Sequence, residues 1–161
     1  MGQSDDFFSA VAALNALERL DVDGMRLLYR VERAGEQFYS QLADRIGDPR
    51  AAELLRRNGR EERGHAERIR RAIGIKLGAP YEPTAADQAP YAIALPDAVT
   101  SEMLAVIVQA ERDGDAGYEG WAQRETDAEV QRLLRLNGRE ETVHGERVAE
   151  VMAILAAASS G

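Results

Sequence analysis

From position 21 onward, apolar residues recur at spacings of three and four. Met25, Leu28, Gly35, Tyr39, Leu42 and Ile46 make one stripe, and Glu32 lies inside it. Such a stripe is the inward seam of a bundle helix. Gly47-Asp48-Pro49 interrupts it, Asp48 suiting an N-cap and Pro49 the first helical position. A second stripe runs through Leu55, Asn58, Glu62, His65, Ile69 and Ala72, with Gly74 as its expected stop. A third, starting near 96 or 100 and ending at 125, contains Leu104, Ile107, Glu111, Gly114, Tyr118 and Trp121. Asp127 then caps a fourth, marked by Leu134, Asn137, Glu141, His144, Val148, Val151 and Leu155.

The segments around these four helices are less regular. Phe7, Val11, Leu14 and Leu17 predict a short amphipathic helix within residues 5–19, either a lid on the bundle or a contact between subunits, as in a homodimer. Residues 75–97 hold Pro80, Pro83, Pro90 and Pro96 and show no helical period. Extended at about 3.3 Å per residue they span roughly 70 Å, enough to return the chain along a whole bundle. The pattern predicts an all-α fold: one domain over 1–161, a four-helix bundle of two hairpins (21–74 and 98–157) joined by the crossover 75–97. Residues 156–161 are expected to fray.

The two hairpins repeat one another. Residues 54–69 read LLRRNGREERGHAERI and residues 133–148 read LLRLNGREETVHGERV, 79 positions further on. The same offset relates Glu32 to Glu111, Gly35 to Gly114, Tyr39 to Tyr118 and Asn58 to Asn137. Each half thus carries a Glu and, 30 residues on, a Glu-x-x-His, and these hold the only two histidines of the chain. An approximate twofold axis between the hairpins is expected.

The seam positions of these groups point to chemistry. Four carboxylates facing inward without cations oppose burial through desolvation and mutual repulsion. Glu61, Glu67, Glu140 and Glu146, by contrast, read as solvated surface. Depth along the helices agrees: Glu32 precedes the Asp48 corner by 16 residues, while Glu62 and His65 follow it by 14 and 17. At 1.5 Å per residue all three lie about 24 Å from the corner, and the counts around Asp127 are the same. Glu and His three apart project to one side of a helix. Two Glu plus two Glu-x-x-His at one level form a ligand set for a metal pair in a four-helix bundle. The candidate ligands are Glu32, Glu62, His65, Glu111, Glu141 and His144.

Around them, Tyr39 and Tyr118 read either as core or as hydrogen-bonding partners of the site. Asn58 and Asn137 read as support for the ligands or as buried amides fixing register. Glu36 and Asp115 read as solvated face or as partners of the histidines. The paired glycines at 35 and 114 suggest that room is needed beside the metal, since glycine inside a helix costs about 1 kcal/mol against alanine.

Composition narrows the class. The chain has no cysteine, which excludes disulfides and thiolate iron centres. A net charge of −8 speaks against a nucleic-acid surface. No apolar run is long enough for a membrane span. The first six residues carry neither a myristoylation signal nor a basic leader, so the expected location is cytoplasmic.

At the duplicated motif, over roughly residues 20–157, the chain resembles the ferritin-like di-iron carboxylate proteins, and among them the rubrerythrin-type domain. The resemblance implies two iron ions bridged by Glu62 and Glu141. Glu32 and Glu111 would be terminal ligands, with one ion each for His65 and His144. It further implies an oxidoreductase reacting with hydrogen peroxide or dioxygen and ferrous iron. Gly114 and Asp115 stand where rubrerythrins place an extra glutamate, and the rubredoxin portion has no counterpart, which implies an external electron-donor protein. Hydroxylation of an organic substrate and non-catalytic iron storage are the alternatives. Glu and His ligands also suit manganese or zinc.

Overall fold

The structure, a computed structural model, describes residues 5–160; the reading of the N-terminal leader signals falls partly on residues 1–4, outside that range. The described residues form six helices: α1 (Phe7–Asn15), α2 (Val22–Asp44), α3 (Pro49–Leu77), α4 (Ala85–Gln88), α5 (Ser101–Arg124) and α6 (Ala128–Ala158). Among the described residues none is long and apolar enough to cross a membrane.

Local chemistry sets the ends. Asp48 accepts from the Arg50 and Ala51 amides, and Asp127 likewise from Glu129 and Val130, so the two corners are built alike. The stop expected at Gly74 lies three residues further on. Gly78, at φ 69°, donates to Ile75 while Ala79 donates to Gly74, a Schellman closure in which the carbonyl of Gly74 is an acceptor. At the far end α6 continues through Ala158, and the hydroxyls of Ser159 and Ser160 bond back to Leu155 and Ala156. Fraying from 156 is therefore not observed up to 160; Gly161 lies outside the described residues.

α2 packs along α3, α5 along α6, and α3 against α6 joins the two pairs. The seam residues close into apolar layers on both sides of one polar level. Toward the corners lie Leu42, Leu55, Val130 and Leu134; toward the open end lie Met25, Leu28, Ile69, Leu104 and Val148, all essentially inaccessible. Each such side chain contributes about 1.5–3 kcal/mol of burial, enough to hold the helices in register around the polar level.

The crossover follows α2 from the open end to the corner. Arg26 Nε donates to Asp87 (2.9 Å), Arg30 to the carbonyls of Ala89 (2.8 Å) and Pro90 (3.3 Å), and Arg45 to that of Pro96 (2.9 Å). It is not wholly irregular: a Thr84–Asp87 capping box starts α4. α1 docks on α2 through Phe7, which stacks on Phe38 at 5.6 Å. Its start is tied to the crossover by the Phe7 amide on Ala92 O (3.0 Å) and the Ala92 amide on Asp5 O (2.7 Å). Within the chain, α1 thus lies against α2 and is tied to the crossover.

Candidate metal centre

The polar level holds Glu32 from α2, Glu62 and His65 from α3, Glu111 from α5, and Glu141 and His144 from α6, all buried. Gly35 gives the Glu62 side chain its space, since a Cβ there would sit 3.1 Å from Glu62 Cγ and Cδ. Gly114 faces Glu141 in the same way at 3.5 Å.

Two overlapping groups emerge. Glu32, Glu62, His65 and Glu141 offer ligand atoms within 4.8 Å of one another, and so do Glu62, Glu111, Glu141 and His144. Glu62 and Glu141 belong to both groups and divide their oxygens between them. Glu62 Oε2 lies 3.4 Å from His65 Nδ1 and Oε1 lies 3.4 Å from His144 Nδ1. Glu141 Oε1 lies 3.1 Å from His65 Nδ1 and Oε2 lies 3.6 Å from His144 Nδ1. Glu32 completes the first group at 3.4 Å and Glu111 the second at 3.9 Å. Atoms bound at about 2.1 Å to a common ion are at most about 4.2 Å apart, and the imidazole–carboxylate separations of 3.1 to 3.9 Å lie inside that limit.

Both Nδ1 atoms are fully buried and make no hydrogen bond. A buried polar atom without a partner costs about 1–3 kcal/mol, and a cation between Nδ1 and the carboxylates removes that cost. The carboxylates ask for the same cation. Burial, then Glu141 and Glu62, push Glu111 well above the ordinary range, while burial and Glu62 also raise Glu141 but contacts with Glu111, His144 and His65 outweigh them and hold it below. Burial lowers the His144 pKa, yet Glu141 and Glu62 outweigh it and raise it to about 9. His65 is also raised well above normal, with burial opposing and Glu140, Glu141, Glu32 and Glu62 prevailing. Two divalent cations balance four carboxylates with neutral imidazoles, and the residues fit such a pair.

Both tyrosines turn toward the site. Tyr39 Oη donates to Glu111 and Tyr118 Oη to Glu32. Burial, then the nearby carboxylates, raise both phenols well above normal, which keeps them protonated donors. Asn58 Nδ2 donates to the carbonyl of His144 (3.2 Å); Asn137 Nδ2 donates to that of His65 (3.3 Å) and to Tyr118 Oη (3.1 Å).

Glu36 and Asp115 sit elsewhere, taking hydrogen bonds from Arg63 and from Thr142. The histidines' partners are Glu61 and Glu140, which the sequence pattern assigned to the solvated surface. His65 Nε2 lies 2.9 Å from Glu140 and His144 Nε2 lies 3.1 Å from Glu61. Arg68 forks onto both oxygens of Glu140, and Arg147 onto both of Glu61. The available signal was the duplicated Glu-Glu-x-x-His followed by an arginine three residues after the histidine.

The family model of rubrerythrin matches residues 23–152. The chain belongs to the rubrerythrin family. No curated protein and no solved structure gives a match. In this rubrerythrin-family domain, then, a buried carboxylate and imidazole cluster capable of holding metal lies at mid-height of a helical bundle.

Proposed function

We propose that the cluster binds two iron ions and that the protein is an oxidoreductase acting on hydrogen peroxide or dioxygen. The observation that supports this most directly is the division of Glu62 and Glu141, one oxygen toward each orphaned Nδ1. In this reading Glu32 and His65 would hold one ion, Glu111 and His144 would hold the other, and Glu62 and Glu141 would serve both. When bound, two ferrous ions supply the two electrons that, with two protons, reduce hydrogen peroxide to two waters. The chain does the positioning. Tyr118 and Tyr39 hold the terminal carboxylates by hydrogen bonds, and Asn137 and Asn58 hold the backbone of the histidine turns. The apolar layers above and below keep bulk water from the polar level. An external donor protein returns the electrons.

Anaerobic reconstitution with ferrous iron followed by elemental analysis tests the proposal. Wild type is expected to retain close to two ions per chain, Glu32→Ala about one, and Glu62→Ala almost none, because a bridge serves both ions. Stopped-flow mixing of the reduced protein with hydrogen peroxide or dioxygen then shows a new visible absorption in wild type and none in Glu62→Ala. Fewer than about half an ion bound by wild type sinks the reading.

A further inference from the structure

Resting on that two-ion reading, the geometry points to Glu61 and Glu140 as positioning residues, each aiming the histidine of the opposite hairpin at its metal.

The argument begins with donors and acceptors. Glu140 accepts from Arg68 on both oxygens, at 2.8 Å each, and Oε2 also lies 2.9 Å from His65 Nε2, the arrangement of an ionised carboxylate. An ionised carboxylate only accepts, so the proton sits on Nε2 and Nδ1 is the atom left to face the carboxylates. The same holds on the other side, where Arg147 forks onto both oxygens of Glu61 and His144 Nε2 lies 3.1 Å from Oε2. An outer carboxylate on the far nitrogen of a ligating histidine fixes its tautomer and ring plane and raises its basicity.

The wiring crosses between hairpins. His65 belongs to α3, but its carboxylate Glu140 belongs to α6. Arg68 on α3 clamps Glu140 and also donates to Asn137 Oδ1 (3.0 Å), and Asn137 in turn bonds the His65 carbonyl and Tyr118. Tyr118 holds Glu32. The terminal ligands of the first ion, Glu32 and His65, are thus contributed by α2 and α3 and oriented by α5 and α6. For the second ion the roles reverse. Glu111 and His144 are oriented by Tyr39, Asn58 and Glu61, with Arg147 donating to Asn58 Oδ1 (3.0 Å).

Glu36 supplies a matched control. It too is held by a forked arginine, Arg63, and is 34% exposed against 33% for Glu140 and 28% for Glu61, but its partner is not a histidine. Glu140→Gln, Glu61→Gln and Glu36→Gln are titrated calorimetrically with zinc as an air-stable probe. The ring Nε2 protons of the metal-free proteins are followed by nitrogen-edited NMR. Wild type and Glu36→Gln are expected to bind two zinc ions equally. Glu140→Gln keeps one ion at wild-type affinity and weakens the other by about 10–100-fold, and its ring-proton change is confined to His65. Glu61→Gln does the same to the other ion, with the change at His144. Two ions bound by both variants as by wild type, with unmoved ring protons, overturns the inference alone, as does equal weakening of both ions in each variant. Wild type that binds neither zinc nor ferrous iron overturns the two-ion reading as well.

Discussion

α2 and α5 carry the same inner stripe and opposite outer faces. Inward, Glu32 and Tyr39 on α2 match Glu111 and Tyr118 on α5, and all four are buried. Outward, the residues 79 positions apart part company. Tyr29, Val31, Ala34 and Phe38 on α2 are buried, Phe38 against Phe7 and Phe8 of α1; Val108, Ala110, Asp113 and Gly117 at the matching places of α5 are half-buried or exposed. Arg30, buried beneath the crossover with its guanidinium 3.8 Å from the Tyr91 ring, matches the exposed Gln109. The two helices therefore separate two demands on one stretch of chain. The buried cluster of carboxylates, imidazoles and phenols holds the inner face to one solution, while the outer face follows whatever segment covers it.

The comparison breaks first at Phe38. Phe38→Ala removes a ring packed on Phe7, Phe8 and Tyr39 and is expected to cost about 3 kcal/mol, read as a lower urea midpoint. Metal content should stay at the wild-type value, because the loss falls on the covered face. Loss of metal in step with stability would show that the faces are not separable.

A smaller effect comes from Asp87, the buried acid that pins the crossover. Burial raises its carboxyl, but bonds from Tyr81, Thr84 and Arg26 outweigh this and lower it from 3.8 to about 2. A depressed carboxyl stabilises the fold above its unfolded value and loses that contribution as pH falls through the folded one. The stabilisation is therefore about 2 kcal/mol at neutral pH, fading below pH 4 and gone near pH 2. Urea unfolding across that range should show the gap between wild type and Asp87→Asn closing; a constant gap would contradict the assignment.

The smallest effect lies at Gly117, where an added Cβ meets nothing within 4 Å. Gly117→Ala should raise stability by about 0.5–1 kcal/mol, the opposite sign to Phe38→Ala at the matching site. A decrease would mean that the outer face of α5 has a packing role like that of α2.

How much of this was legible depended on whether the cause was local. The stripes, the Asp48 and Asp127 caps and the common depth of the six inward groups follow from one helix's period and rise. Glu61 and Glu140 did not, because period separates inside from outside but does not reveal which neighbour a flank residue meets. Only the packing of α3 on α6 brings each to the other helix's histidine. The overrun past Gly74 is a related case: glycine marked the closure, but the left-handed residue that ends the helix is Gly78. In the crossover, Thr84 and Asp87 stand three residues apart as a helix start, but the helix they cap is only four residues long and lies between prolines, too short to show a period.

Trp121, the only tryptophan of the chain, gives its indole N–H to the carbonyl of Leu17 (2.7 Å), between α1 and α2, and its ring meets Tyr118 edge-on at 5.6 Å. Tyr118 in turn holds Glu32. One chromophore thus touches both the attachment of the N-terminal segment and the hydrogen-bond chain to the carboxylate cage. In optical terms the protein has its own gauge. Release of that segment is expected to hydrate the indole and move its emission to the red, whereas a paramagnetic metal ion taken up by the cage is expected to dim the emission without moving it.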